Sequence, residues 1–276
     1  GRVHELEHNA YSYYPGQMHM LALLAMVLRG GSYAGAYAAT FLHAAFLAGA
    51  VAAVFLALLR DDEVQGRFAA VLLASTPLAV QLAWQAVDEP AMLFYLALGL
   101  LWLRHWLRRP DWGAAACVGL ALGGACAVKY LSVGFIAAPV GAAMLALSVR
   151  SGRRLGQTGL AAVLTVAGIA PWLIRNTAYT GNPVFPLATS VFGRGHWSET
   201  SQQRWQAGHG PENRPPVPEP PGYEGTAPTN RAGVFWQNFV VNQQLGVLLK
   251  LAAALAVCAL VAHRGPPDVW AWTLAW

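Results

Sequence analysis

The sequence has few charged residues and little cysteine. Only 11% of its 276 residues are Asp, Glu, Lys or Arg, against about 25% in an average soluble domain. Its three cysteines, Cys117, Cys126 and Cys258, all lie inside apolar runs, with neither metal-ligand spacing nor an evident disulfide partner. These shortages exclude an ordinary soluble domain, a disulfide scaffold and a cysteine-based metal site.

Apolar residues are abundant instead, at 56% of the chain, including 11 tryptophans. The formal net charge of +5 does not indicate nucleic-acid binding, because the arginines stand at the ends of apolar runs and not on one basic face. We therefore predict an all-α membrane protein, a polytopic helical bundle with an interfacial helix near the N-terminus and a large outer loop. The chain begins without methionine and stops inside an apolar run, so we expect a fragment of a longer protein.

Apolar runs of about 20 residues mark membrane spans. Residues 1–33 are predicted as an outer loop with a short helix from Gln17 to Leu28, and residues 34–176 as a transmembrane bundle. Residues 177–242 are predicted as a large outer loop, and residues 243–276 as truncated C-terminal spans. The predicted spans are 34–59, 68–84, 91–106, 112–128, 131–149, 158–174, 245–262 and one that begins near 269.

The connections between these spans differ in charge. On one side of the predicted bundle the short connections are poor in positive charge and hold little beyond Arg29, Lys129 and Arg175, whereas those on the other side are rich in arginine. By the positive-inside rule the arginine-rich side is cytoplasmic. We therefore predict that one outer face carries Asp88, Glu89, Lys129, Arg175 and the N-terminal loop. The arginine-rich side collects Arg60, Arg67, Arg104, Arg108, Arg109, Arg150, Arg153, Arg154 and Arg264.

Asp88, Glu89 and Pro90 stand between the apolar runs 68–84 and 91–106. A carboxylate at membrane depth is costly unless it is paired or functional. Proline fits the first turn of a helix, where its missing N–H costs nothing, and the helix dipole favours negative charge there. We therefore expect both carboxylates at the N-terminal end of a helix, facing water or a polar ligand.

Two cations accompany this acidic doublet. Lys129 directly follows an apolar helix, and Arg175 is predicted at the end of the next outward-going helix. Cations at helix ends also complement the dipole and snorkel toward water, so a structural role for each stays open. Together with the doublet they indicate a place for an anionic headgroup beside a general base. Aromatic residues of the outer loop form either a lid or an interfacial belt: His196, Trp197, Trp205, Tyr223, Phe235 and Trp236.

The order of several short motifs resembles membrane glycosyltransferases of the GT-C superfamily. The closest group is the bacterial glycosyltransferase 39 type, with its protein mannosyltransferases and lipid A aminoarabinose transferases. Asp88 with Pro90 matches the family's Asp-x-Pro, and Lys129 matches the lysine of its Thr-Lys-Gly-Pro element with other flanking residues. The motifs, over about residues 1–190, are Tyr13-Tyr14-Pro15-Gly16, Ser75-Thr76-Pro77, Asp88-Glu89-Pro90, Gly119 to Lys129-Tyr130, Pro171-Trp172 and Gly181-Asn182-Pro183.

The resemblance implies a sugar donor linked by phosphate to a polyprenyl lipid, transfer with inversion, and a lipid, glycan or protein acceptor. It places the active face on the periplasmic side of a bacterial inner membrane. The family's catalytic carboxylate lies in its first outer loop, which follows a first membrane helix that we expect upstream of Gly1. The usual acidic motif is therefore absent here unless Glu5 or Glu7 serves, and Glu5 is the candidate. Asp88 and Glu89 complete the catalytic set, and Lys129 and Arg175 are the lipid-phosphate ligands. The acceptor-side candidates are His8, Tyr14 and Gln17.

No metal site and no certain cofactor are predicted, and one acidic pair leaves a divalent cation open. Two other functions also stay open. A transporter would use Asp88 and Glu89 as a proton or cation relay, although their place at a helix start near the outer edge disfavours that. A degenerate transferase that lacks its first acidic motif would serve as a membrane scaffold.

Overall fold

A computed structural model describes residues 9–59, 63–85, 87–152 and 154–209, together with the single positions 233, 244, 246, 250 and 251. These residues are mostly helical and contain no β-strand, so the predicted all-α membrane bundle is confirmed. A single 3₁₀ turn, Ala10–Tyr13, precedes the first helix. The helices are α1 Gln17–Leu28, α2 Ser32–Leu59, α3 Glu63–Ala74, α4 Pro77–Trp84, α5 Glu89–Arg108, α6 Trp112–Val128, α7 Ala138–Ser151, α8 Leu155–Thr180, α9 Thr189–Phe192 and α10 Glu199–His209.

Within the described ranges, four stretches are long and apolar enough to cross a membrane: Gly35–Leu59, Glu89–Arg108, Val133–Ser151 and Leu155–Thr180. The shortest, at 19 residues, rises about 28 Å at 1.5 Å per residue, close to the thickness of a bilayer core. Val133–Ser151 comprises α7 and a π-helical turn at its start. The predicted C-terminal spans 245–262 and 269 onward lie outside the described ranges, apart from the single positions 246, 250 and 251.

The predicted span 68–84 is broken in the structure. Helices α3 and α4 meet at a bend of 56°, and Pro77 occupies the first turn of α4. Proline lacks the N–H that would continue the helix, and its ring clashes with the preceding turn. The Thr76 hydroxyl donates to the Leu72 carbonyl at 2.8 Å, which satisfies one acceptor at the end of α3. The continuous hydropathy of this stretch gave no sign of the bend.

Helix α6 has the predicted bounds and lies at the centre of the bundle, packed against α5 and α8. Its contact with α8 depends on glycine. A Cβ atom added at Gly119 would lie 2.5 Å from the Ala161 carbonyl oxygen, and one at Gly168 would lie 2.6 Å from the backbone of Gly123. Small residues let the two backbones approach this closely, as is common between membrane helices.

The connections between α5 and α8 alternate between the two ends of the bundle. At one end the His105 ring lies 3.5 Å from the Asp111 carboxylate, and Ser148 and Thr158 share a hydrogen bond of 2.8 Å. The buried Trp106 indole donates to Gln157 at 2.7 Å there. Arginines from the ends of α5, α7 and α8 share this end: Arg104, Arg108, Arg109, Arg150 and Arg154.

The opposite end holds the start of α5, the end of α6 and the end of α8, and there the functional candidates lie. Helix α8 continues to Thr180, beyond the predicted end of the span at 174. The Thr177 hydroxyl donates back to the Leu173 carbonyl at 2.8 Å, and Gly181 ends the helix in the left-handed conformation with φ 73°. Glycine adopts that conformation without steric cost. Arg175 is therefore inside the last two turns of α8, whereas the sequence had predicted it at the end of the helix.

Candidate functional site

The acidic doublet begins α5. Asp88 is the residue that precedes the helix, Glu89 is in its first turn, and Pro90 is buried next to them. The Asp88 carbonyl accepts a hydrogen bond from the Met92 N–H at 3.1 Å. Its side chain makes no hydrogen bond to the first turn of α5, all of which the structure describes. The Asp88 carboxylate is thus not used as a helix cap.

Glu89 forms an ion pair with Lys129. The Lys129 Nζ donates to Glu89 Oε1 at 2.8 Å, and the two side chains are 35% and 42% exposed. Lys129 follows the last residue of α6, and its N–H is bonded to the Ala125 carbonyl. The pair therefore joins the start of α5 to the end of α6. The doublet and the lysine lie together, as the loop charges predicted.

Asp88 lies in a different electrostatic setting from Glu89. Burial raises the pKa of the Asp88 carboxyl above its ordinary value of 3.8, and the negative charge of Glu89 acts in the same direction. The charges of His19, Lys129 and His43 oppose that effect but do not cancel it. Because its pKa is raised and it does not cap the helix, the Asp88 carboxylate is a stronger base than an ordinary aspartate and is suited to accept a proton.

Arg175 faces the N-terminal segment. Its guanidinium donates to Asn176 Oδ1 from Nη2 at 3.0 Å and from Nε at 3.3 Å, and to the Tyr14 carbonyl at 3.4 Å. The same group lies 5.0 Å from the centre of the Trp172 ring, within the range of a cation–π contact. The cation is thus held in a fixed position beside the chain segment that precedes α1.

Asn176 and Tyr130 connect Arg175 to Lys129. The amide of Asn176 is fully buried and donates to the Tyr13 carbonyl at 2.8 Å and to the Tyr130 hydroxyl at 3.1 Å. The Tyr130 hydroxyl donates in turn to the Pro183 carbonyl at 3.4 Å. Since Tyr130 is the chain neighbour of Lys129, the two cations belong to one polar cluster without touching each other.

The acceptor-side candidates divide between described and undescribed parts of the chain. Gln17 Nε2 donates to the Tyr95 hydroxyl at 2.9 Å, and its Oε1 is buried without a hydrogen-bond partner among the described residues. The Tyr14 ring packs edge-on to Tyr130 at 5.7 Å. Burial raises the pKa of both tyrosines to about 12, so both stay neutral hydroxyls. His8 and the carboxylate candidate Glu5 lie outside the described residues.

An aromatic cluster covers the N-terminal segment. Trp205 of α10 stacks on His209 with ring centres 3.5 Å apart, and its ring lies 5.8 Å from that of Tyr11. Tyr11 shares a hydrogen bond of 3.0 Å with the ring of His209. Trp197 contacts both Trp205 and the buried Phe185. The other aromatic residues proposed for a lid or belt, Tyr223, Phe235 and Trp236, lie outside the described residues.

The sequence assigned no individual role to several buried polar residues at this end of the bundle. Asn176 looks like an ordinary loop-forming residue after Arg175, and only its burial identifies it as a connector. Asn182 is also fully buried, and its amide donates to the Leu187 carbonyl at 2.9 Å and the Gly193 carbonyl at 3.1 Å. Tyr130 was notable only as a neighbour of Lys129. A buried asparagine bonded to loop carbonyls fixes a loop shape that no local pattern encodes.

Within the described ranges, no three His, Cys, Asp or Glu side chains come together in a group that could hold a metal ion. No protein-family model, curated protein or solved structure matches this chain.

Proposed function

We propose that this chain is an integral membrane glycosyltransferase that moves a sugar, with inversion, from a polyprenyl-phosphate donor to an acceptor at the outer face of a bacterial inner membrane. The observation that carries the proposal is the shared polar cluster of Asp88, Glu89, Lys129 and Arg175 at one end of an otherwise apolar bundle. The arginine-rich helix ends stand opposite. That charge difference supports an outer position for the cluster.

Each group has a chemical role in this transfer. The acceptor oxygen or nitrogen attacks the anomeric carbon, the bond from that carbon to the phosphate oxygen breaks, and the acceptor proton passes to a carboxylate. Asp88 orients the acceptor and is placed to take that proton, because its pKa is raised by burial. The Gln17 amide oxygen, buried at the start of α1, is suited to accept a hydrogen bond from a substrate hydroxyl.

The leaving group is a polyprenyl phosphate, which gains negative charge as the bond breaks. Lys129 and Arg175 neutralise that charge, and cations fixed in advance stabilise a developing anion without reorganisation. In the absence of donor Lys129 is held by Glu89. Glu89 therefore positions the lysine, and the donor phosphate competes with Glu89 for it. The aromatic cluster of Tyr11, Trp197, Trp205 and His209 would exclude water that otherwise hydrolyses the donor.

The proposal is tested by assaying the purified chain in lipid nanodiscs with a panel of polyprenyl-phosphate hexoses and pentoses. Transfer by wild type is expected to fall about 100-fold or more in D88N, since loss of a general base typically costs that much. The matched control is D111N at the opposite end, where Asp111 caps α6 by accepting from the Ala114 N–H at 2.7 Å. Asparagine also caps helices, so D111N should keep wild-type turnover.

Two results would contradict the proposal. Undiminished transfer by a folded D88N protein would remove Asp88 from the mechanism. Proton-coupled uptake into liposomes without any sugar-lipid donor, present in wild type and lost in D88N, would assign the doublet to transport instead.

A further inference from the structure

A buried histidine stands on the side of α2 that faces the bundle. The His43 side chain is only 3% exposed. The other buried positions of this side follow it at helical spacing and are small and apolar, among them Ala39, Ala50, Ala53 and Ala57. A titratable side chain inside a membrane bundle is costly unless it has a partner or a function. We therefore expect His43 to do more than fill space.

The contacts of α2 with α5 set His43 at the level of Asp88. The two helices run in the same direction, and a Cβ atom added at Gly49 would lie 2.8 Å from the Phe94 ring, which is 45 positions further along the chain. The next turn repeats nearly the same offset in one apolar cluster, with Ala53 and Ala97. The offset of 45 leads from His43 to Asp88. The ring thus lies beside the start of α5, where the acidic doublet is.

The electrostatic surroundings of Asp88 agree with this placement. Burial has the largest effect on the pKa of the Asp88 carboxyl and raises it, and four charged or titratable side chains act on the carboxyl as well. They come from α1, α2, α5 and the end of α6: His19, His43, Glu89 and Lys129. His19 is exposed, and Glu89 and Lys129 are half-buried and paired with each other. His43 is the buried member of this set.

The backbone of α2 fixes the orientation of the His43 ring. Its Nδ1 lies 2.6 Å from the Ala39 carbonyl oxygen. Because a carbonyl oxygen can only accept, Nδ1 carries the hydrogen and donates it, so that in the neutral ring Nε2 has the lone pair. A neutral His43 held in this way can accept a hydrogen bond at Nε2 but cannot donate one from that atom.

We propose that His43 is a positioning residue for Asp88, and that its Nε2 accepts a hydrogen bond from the Asp88 carboxyl once that carboxyl has taken the acceptor proton. The inference deepens the proposed function and rests on it for the source of the proton. The proton stays on the Asp88 oxygen, so no further covalent bond forms or breaks. A hydrogen bond to the protonated carboxyl favours that form over the carboxylate, which makes Asp88 a better proton acceptor. Asp88 is half-buried and returns the proton to water when the product leaves.

Infrared spectroscopy of the full chain in lipid nanodiscs tests this hydrogen bond without any turnover. The carbonyl stretch of protonated Asp88 is the carboxylic-acid band that D88N lacks. We expect this band at a higher frequency in H43N, because asparagine keeps a donor for the Ala39 carbonyl but has no acceptor at the position of Nε2. H43Q brings an amide oxygen near that position, so its band should lie between those of wild type and H43N. An unmoved band in H43N refutes the inference.

The transfer assay gives a second measurement. H43N should lower kcat roughly three- to tenfold, the typical effect of one hydrogen bond, with KM unchanged, and H43Q should recover part of that loss. A purely structural His43 would leave H43N at wild-type kcat, since the bond to Ala39 is kept. The matched control is T40A in the same helix, where the Thr40 hydroxyl donates to the Ala36 carbonyl at 3.2 Å. T40A should keep the band and the kcat of wild type, and an equal loss of kcat in T40A would overturn the role of His43.

Failure of this inference and failure of the proposed function give different results. If the band moves in H43N but wild type transfers no sugar from any polyprenyl-phosphate donor, the proposed function fails and the hydrogen bond between His43 and Asp88 stands. If wild type transfers sugar and the band stays unmoved in H43N, His43 only packs. If H43N does not fold, H43Q must still move the band, because an amide oxygen is a weaker acceptor than an imidazole nitrogen, and an unmoved band in H43Q then refutes the inference.

Discussion

The Lys129 ammonium donates to the Glu89 carboxylate at 2.8 Å, so the cation at the end of α6 is bound to one member of the acidic doublet while Asp88 is left out of that pair. The doublet therefore consists of two chemically different carboxylates. Glu89 holds a cation in place, and Asp88 is a half-buried acid whose pKa is raised by burial. Two carboxylates that adjoin in sequence but differ in environment can take different roles in one reaction.

The Glu89–Lys129 pair should contribute little to stability and much to donor binding. Because both side chains are more than a third exposed, a double-mutant cycle of E89Q and K129M in thermal or denaturant unfolding should give a coupling of about 1 kcal/mol or less. In the transfer assay, K129M should raise the KM for the polyprenyl-phosphate sugar about tenfold or more, since the phosphate loses a charged partner. Unchanged KM in K129M would make the pair purely structural.

Asp88 should lower the stability of the protein as it ionises. Its pKa is raised by burial, so the folded state binds the proton more tightly than the unfolded state. The stabilisation from this proton is fully present below the unfolded pKa and is lost as pH rises through the folded pKa. D88N should therefore melt at a higher temperature than wild type at neutral pH, and this difference should vanish toward acid.

The same titration should appear in activity. Transfer by wild type should decline as pH falls through the raised pKa of Asp88, because the protonated acid cannot accept the acceptor proton. The measurement is melting temperature and initial rate across one pH series. A difference in melting temperature between D88N and wild type that is constant with pH would contradict the assignment of the shift to Asp88.

Asn176 should be a stability determinant of the outer end. Replacing it with alanine removes the donor to the Tyr13 carbonyl and the Tyr130 hydroxyl inside the protein. Leaving such groups unsatisfied costs about 1–3 kcal/mol of unfolding free energy. The control is T177A, because the exposed Thr177 hydroxyl only bonds back within its own helix, and it should change stability by about 0.5 kcal/mol or less. Equal effects of the two variants in denaturant unfolding would refute the role of Asn176.

The contact of α6 with α8 should tolerate no side chain at Gly168. An added methyl group there would lie 2.6 Å from the Gly123 backbone, so G168A should lower the unfolding free energy by about 1–3 kcal/mol through overpacking. Gly159 is in the same helix, and no described atom lies within 4 Å of a Cβ added there. G159A should be neutral or stabilising by up to about 1 kcal/mol, because alanine is the better helix former. A destabilised G159A together with a neutral G168A would show that the helices do not pack in this way.

The two ends of the bundle should be accessible from opposite sides of the membrane. Ser151 ends α7 among the arginines, and Ser201 is in α10 beside the aromatic cluster. In a background without the three native cysteines, an impermeant maleimide should label S201C in intact cells and S151C only after permeabilisation. This expectation follows from the positive-inside rule. Labelling of both positions from the same side would contradict the proposed orientation.

The sequence by itself determined the class of the fold and the end of the bundle that carries the acidic doublet. Hydropathy over some 20 residues reports whether a segment can leave water, so α5 and α6 were found with nearly correct limits. Proline at position 90 placed the doublet at a helix start, because it fits only the first turn without cost. The bend at Pro77 and the extension of α8 past Arg175 were missed, since hydropathy averages over local backbone geometry.

Only the tertiary structure decided which charged groups meet. The pairing of Lys129 with Glu89 needs the start of α5 and the end of α6 to meet at a fixed register. Glycines at 119, 123 and 168 set the close approach of α6 to α8 in the same way. The connecting role of Asn176 likewise depends on its burial between distant segments. A hydrogen bond between residues 40 or more positions apart is a property of packing, and one-dimensional periodicity contains no information about it.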